Sequence, residues 1–167
     1  MPANPCYKIE RCSEGYVISL CGRGTLQESP AFRDFASQCL DHRRKVVVDL
    51  SDCVYLDSTF LGCLIGLHKR GLQLGKGMFR IFADQACRLR LLSTSGLHQF
   101  LDYVDQRPDT NGDCMSLEFG QFDAHALGRH VMNSHRLLAD LGGEDADKFK
   151  SIADRLQREL DVPPSTN

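Results

Sequence analysis

Apolar and polar positions change their period several times along the chain, and each change marks an element. Tyr7 to Cys12 and Tyr16 to Cys21 are short β-prone runs, and Ser13-Glu14-Gly15 between them suits a tight turn. These two strands are expected to pair antiparallel. Ser29-Pro30 then offers a helix N-cap followed by a first-turn proline, and Phe32, Phe35, Ala36, Cys39 and Leu40 form one apolar face. That pattern predicts a helix from about Pro30 to His42. Lys45 to Leu50, with Val46-Val47-Val48 at its centre, reads as an interior strand. After Ser58 the period returns to that of a helix, with Leu61, Leu64, Ile65, His68 and Leu72 on one face, and with Gly62 and Gly66 one turn apart where close packing is expected. Gly75-Lys76-Gly77 breaks that helix. Met78 to Ala83 predicts a further strand, Ala86 to about Thr94 a short helix ending near Gly96, and Phe100 to Val104 a last strand.

The predicted order β-β-α-β-α-β-α-β implies an α/β fold: a sheet of about five strands, with crossover helices that bring successive strands in parallel. Between Arg107 and Asp113 the composition shifts to Pro, Asp, Asn and Gly. We therefore divide the chain into a compact domain over 5–106, a linker or long loop over 107–119, and a helical hairpin over 120–161. In the hairpin, Leu127, Val131, Ser134, Leu138 and Leu141 trace one stripe, and Phe149, Ile152, Ala153, Leu156 and Leu160 trace another beyond Gly142-Gly143. Helices joined by so short a turn lie antiparallel, and neither holds its apolar stripe in water alone. The hairpin must dock on the sheet domain, on a second copy or on a partner. Val162 to Asn167 reads as a frayed tail.

The 167 residues suffice for one domain of ordinary size plus an extension. A formal charge of -2, with both signs interspersed, gives no electrostatic footprint for nucleic acid or an anionic membrane, and points to another protein as partner. No apolar run approaches the roughly 20 residues that span a bilayer, and Met1-Pro2-Ala3-Asn4 does not begin a signal peptide. A cytosolic protein is expected. The eight cysteines are irregularly spaced, no CxxC occurs, and Cys21, Cys39 and Cys63 lie in apolar segments, so they read as small core residues.

Candidate chemistry concentrates at one junction. Asp57-Ser58-Thr59-Phe60-Leu61-Gly62 lies where a buried hydrophobic strand is expected to turn into an amphipathic helix. A hydroxyl there sits at a helix N-terminus, whose unpaired N–H groups and dipole favour a phosphate. Ser58 or Asp57 serving merely as a helix cap is the alternative. His125, His130 and His135 recur every five residues, which turns successive rings to different faces, unlike the i, i+4 pair that grips zinc. No metal site is expected. His68 reads as a core or edge histidine, and Gly22-Arg23-Gly24 and Gly75-Lys76-Gly77 read as turns, since neither completes a phosphate-binding loop. No nucleophile, base and orienting acid stand in a recognisable arrangement, so neither an enzyme nor a cofactor is indicated.

Val47-Val48-Asp49-Leu50-Ser51, Leu56-Asp57-Ser58-Thr59-Phe60-Leu61-Gly62 and Leu91-Leu92-Ser93-Thr94-Ser95-Gly96-Leu97 resemble the anti-sigma factor antagonist branch of the STAS domain family. The resemblance runs from Tyr7 to Val104 and leaves the hairpin outside. It implies a protein that binds a serine kinase of the GHKL ATPase type, itself the anti-sigma factor, and that is released when phosphorylated. By position the acceptor is Ser58, with Thr59 the weaker candidate, and a metal-dependent serine phosphatase restores the free form. The contact surface implied comprises Asp57, Ser58, Thr59, Phe60 and the turn at Gly24-Thr25. Two positions depart from the family pattern: Phe60 stands where a glycine is usual, and Gly22-Arg23-Gly24-Thr25-Leu26 lacks an acidic residue. The alternative is a constitutive assembly module that pairs with a second copy or a larger complex, with Phe60 as its anchor.

Overall fold

The computed structural model describes residues 4–163. β1 (Cys6–Cys12) and β2 (Gly15–Gly24) form the expected antiparallel hairpin, in register from Cys6 opposite Cys21 to Cys12 opposite Gly15. α1 (Ser29–Asp41) leads to β3 (Lys45–Asp49), parallel to the first half of β2. A short β4 (Cys53–Leu56) then pairs in parallel with the far end of β2, so this long strand carries two successive neighbours on one side. α2 (Ser58–Leu74) starts directly after β4, and β5 (Phe79–Phe82) lies beside β3. α3 (Gln85–Leu92) and a 3-10 turn (Thr94–Gln99) follow. β6 (Thr110–Ser116) completes the six-stranded sheet, in the order β5-β3-β2-β1-β6 with β4 beside β2. α4 (Ala124–Asp140) and α5 (Ala146–Leu160) form the hairpin.

Alternation along the strands sorts their side chains onto two faces. Tyr7, Leu20, Val46 and Val48 join Phe32 and Ala36 of α1, Phe60 and Leu64 of α2, and Leu91 and Leu92 of α3 in the main core. Val17 and Val47 meet Val104 in a second small cluster. A salt-bridge latch closes over the same sheet: Arg107 donates to Asp49 at 2.7 Å, to Glu10 at 2.8 Å and to Ser19 at 3.0 Å. A hydrogen bond from Thr110, followed by the one from Arg107, holds the Glu10 carboxyl below the usual carboxylate range.

Three expectations change here. The segment 107–119 is no simple linker, because β6 forms within it and pairs antiparallel with β1. Its sequence, Thr-Asn-Gly-Asp-Cys-Met-Ser, is turn-like and almost wholly exposed, yet the open edge of β1 offers backbone partners that a strand satisfies whatever its side chains. The last strand expected at Phe100–Val104 shrinks to a single parallel bridge of Tyr103 with Ile81, since the 3-10 turn consumes its approach. Ser29 is not an N-cap. Glu28 takes the cap position of α1, and Ser29 lies buried inside the helix.

The hairpin docks in cis. α4 crosses the outer side of α2, with Leu138 and Phe149 joining the main core and α5 packed on α4. Cys39, Cys53, Cys63 and Cys87 are buried and Cys114 exposed, all as free thiols, and burial pushes the first three up to about 11.

Candidate functional site

The junction ahead of α2 is fastened from several directions. Asp57, not Ser58, is the N-cap: its Oδ1 accepts from the Phe60 amide at 2.9 Å. Its Oδ2 reaches back to the Leu26 amide at 2.8 Å, and its own N–H donates to the Gly24 carbonyl. One carboxylate thus ties the start of α2 to the turn between β2 and α1. That turn is held in addition by Glu28, a buried carboxylate that accepts from the Thr25 amide at 2.8 Å and the Thr25 hydroxyl at 2.6 Å. An acidic residue therefore does serve this turn, two positions beyond Leu26.

Ser58 opens α2 with its hydroxyl half-buried, and the residue it meets lies on the hairpin: Oγ is 2.9 Å from Nε2 of His135. The imidazole is buried, tilted against Phe149 at a centroid distance of 5.7 Å, and its Nδ1 has no hydrogen-bond partner. Burial lowers its pKa, and the nearby Asp57 charge opposes that effect.

A second histidine anchors α4 further along. Arg33 can only donate, so Nδ1 of His130, 2.7 Å from Nη1, is the acceptor. Nε2 therefore carries the proton and donates to Ser29 Oγ at 2.7 Å, with Cys63 Sγ at 3.4 Å. This arrangement requires the neutral ring, and burial followed by the Arg33 charge pushes its pKa down to about 4. Between the histidines, Ser134 presses its backbone onto α2 at Gly62. A Cβ at Gly62 would come within 2.6 Å of the Ser134 carbonyl carbon and Cβ.

Asp57, Ser58 and Thr25 are thus brought together at one rim, half-buried. Thr59 is 3% exposed and Phe60 0%, so neither presents a side chain on a surface. Phe60 stacks on Phe32 at 4.8 Å and meets Tyr7 edge-on at 6.1 Å. It cannot anchor a partner or crowd the Ser58 hydroxyl, because the first turn of α2 directs it into the sheet. Gly24 is buried as well: a Cβ there would lie 2.5 Å from Leu56 and 3.0 Å from the Phe60 ring. Gly24 makes room for the phenylalanine that replaces the glycine usual at its position.

The three histidines also depart from expectation. His125 is exposed, whereas His130 and His135 both turn inward and straddle the stripe facing α1 and α2. Five residues separate their rings by about 140° on a helix, which spans a broad buried face. Nothing in the sequence pairs His135 with Ser58; only the docking of α4 does so. Among the described residues, no group of three or more His, Cys, Asp or Glu converges as a metal site, and no helix is long and apolar enough to cross a membrane.

No curated protein matches the chain. The crystal structure of an anti-sigma factor antagonist from Mycobacterium paratuberculosis shares the fold, with a TM-score of 0.52 and 21% sequence identity, over 64% of this chain and 90% of that one. The family model described as "Mlab, STAS domain" matches residues 8–102, over half of the chain, which belongs to the STAS domain family.

Proposed function

We propose that this protein is an anti-sigma factor antagonist controlled by phosphorylation of Ser58, with Thr59 too deeply buried to compete. The carrying observation is the position of Ser58: first residue of α2, half-buried beside its cap Asp57, with a hydroxyl free of the fold's own backbone. The partner is an anti-sigma factor that is also a serine kinase of the GHKL type. Ser58 Oγ attacks the terminal phosphoryl group of the kinase's ATP, ADP leaves, and the hydroxyl proton passes to solvent. The product carries about -1.5 to -2 charges at the helix start. There it meets a favourable dipole but also the Asp57 carboxylate, which is already committed to two amides. An interface packed around a neutral hydroxyl loses affinity once that charge is present. A serine phosphatase resets the switch.

The assembly alternative loses its named anchor, since Phe60 is inside. The test compares the tagged full chain with Ser58→Asp, each expressed in its own cells. A GHKL-type kinase co-purifying with the native chain and lost with Ser58→Asp is the expected result. Equal recovery with both overturns the proposal.

A further inference from the structure

The contact between α4 and α2 differs in chemistry from the core beneath it. At the N-terminal end of α2 the facing groups are Ser58, Gly62 and Cys63, met by His130, Ser134 and His135 of α4, while further along Leu137 lies over Gly66 and Leu138 enters the core. The part of this contact around Ser58 is thus small and polar, as in interdomain surfaces that part and re-form, whereas permanent interfaces are more apolar throughout. The hairpin also has cohesion of its own. Gly128 lies against Leu160, Arg136 donates to Gln157 at 3.0 Å, and α5 rests on α4, so the two helices can move together.

His135 fills the space in front of Ser58, and Phe149 stands beside its ring. A phosphate on Oγ needs the volume that the imidazole occupies. It also brings its charge up to Asp57 and to a ring that burial keeps neutral, whose Nδ1 has nothing to accept a second proton's hydrogen bond.

We propose that the Ser58 face is an interaction surface whose resident occupant is this chain's own α4–α5 hairpin, and that negative charge on Ser58 expels the hairpin as a unit. The proposal rests on the reading of Ser58 as a modified residue. A docked kinase and the closed hairpin cannot share the face, so the kinase reaches Ser58 only in the open form.

Cys63 reports the opening. It is buried on α2, with Sγ 3.4 Å from His130 Nε2 and 3.7 Å from Ser134 Oγ, while Cys39 and Cys53 are buried thiols elsewhere in the core. The experiment is site-resolved labelling of the full chain with N-ethylmaleimide, read by mass spectrometry, for the native protein, Ser58→Glu and the uncharged Ser58→Gln. Ser58→Glu is expected to speed Cys63 labelling by roughly tenfold or more, with Cys39 and Cys53 unchanged and Ser58→Gln well below it. Unchanged or slower labelling of Cys63 overturns the proposal, as does equal acceleration by Ser58→Gln, which would mean that bulk rather than charge acts. Parallel acceleration of all three cysteines overturns it too, since the hairpin would not be moving as a unit. These outcomes do not depend on whether cells phosphorylate Ser58, so the two proposals fail separately.

Discussion

Gly62→Ala places a single methyl group at the crossing of α2 and α4. Its Cβ would come within 2.6 Å of the Ser134 carbonyl carbon and Cβ, and closer still to the carbonyl oxygen. Restoring ordinary van der Waals contact requires α4 to withdraw by about 1 Å, because backbone rather than a flexible side-chain tip is in the way. Overpacking of this kind costs about 1–3 kcal/mol. Within α2 the same change is favourable, since alanine exceeds glycine in a helix interior by about 1 kcal/mol. The two effects fall on different parts of the molecule: α2 and the sheet are little affected, and the docking of the hairpin bears the cost. Global stability should fall by less than about 2 kcal/mol, while the α4 and α5 amides lose protection. Hydrogen exchange of the full chain, followed peptide by peptide, separates these outcomes. Faster exchange in 124–160, with β3 and β5 unchanged, is expected. Equal or greater protection of α4 would refute the reasoning, and so would uniform loss across the sheet.

Two further predictions test the packing and the electrostatics. Phe60→Ala removes a fully buried ring stacked on Phe32, so it should lower stability by about 3–5 kcal/mol in urea unfolding; a loss below about 1 kcal/mol would return Phe60 to the surface. Acid should loosen the hairpin. The folded form holds His130 neutral, with a pKa of about 4 against an ordinary value of 6.5, so the unfolded form binds the extra proton first as the pH falls. Stability from this ring is therefore complete above about pH 6.5 and declines towards pH 4, by about 3 kcal/mol in all. His135 shifts in the same direction. The groups facing the two rings are Arg33 and Asp34 of α1 and Asp57 ahead of α2. Hydrogen exchange of α4 at pH 7 and pH 5, corrected for intrinsic rates, should show the loss; protection that holds steady at pH 5 would contradict it.

The parts of the fold legible in the sequence are those where one periodicity dominates. Val46-Val47-Val48 could only be interior strand, and α2 announces itself through Leu61, Leu64, Ile65 and His68. β4 and β6 were not legible. Cys53-Val54-Tyr55-Leu56 exposes its two central residues, and Thr110 to Ser116 carries turn-forming side chains, so each is a strand by virtue of the edge it pairs with. The site divides in the same way. The Asp57-Ser58 junction could be read from the chain because a cap and a helix start are local events. The inward placement of Phe60 depends on Gly24, some 36 residues earlier, and the meeting of Ser58 with His135 depends on a contact 77 residues apart. Glu28 lies beyond the Gly22-Arg23-Gly24-Thr25-Leu26 turn in sequence and serves it only by reaching back from the N-cap of α1 to Thr25.

The central claim is that Ser58 carries a regulated charge, and site-resolved mass spectrometry of the full chain purified from its own cells, growing and stressed, tests it most directly. Phosphate on Ser58 is expected, with an occupancy that differs between the two cultures. Absence of phosphate from Ser58 under every condition would contradict it.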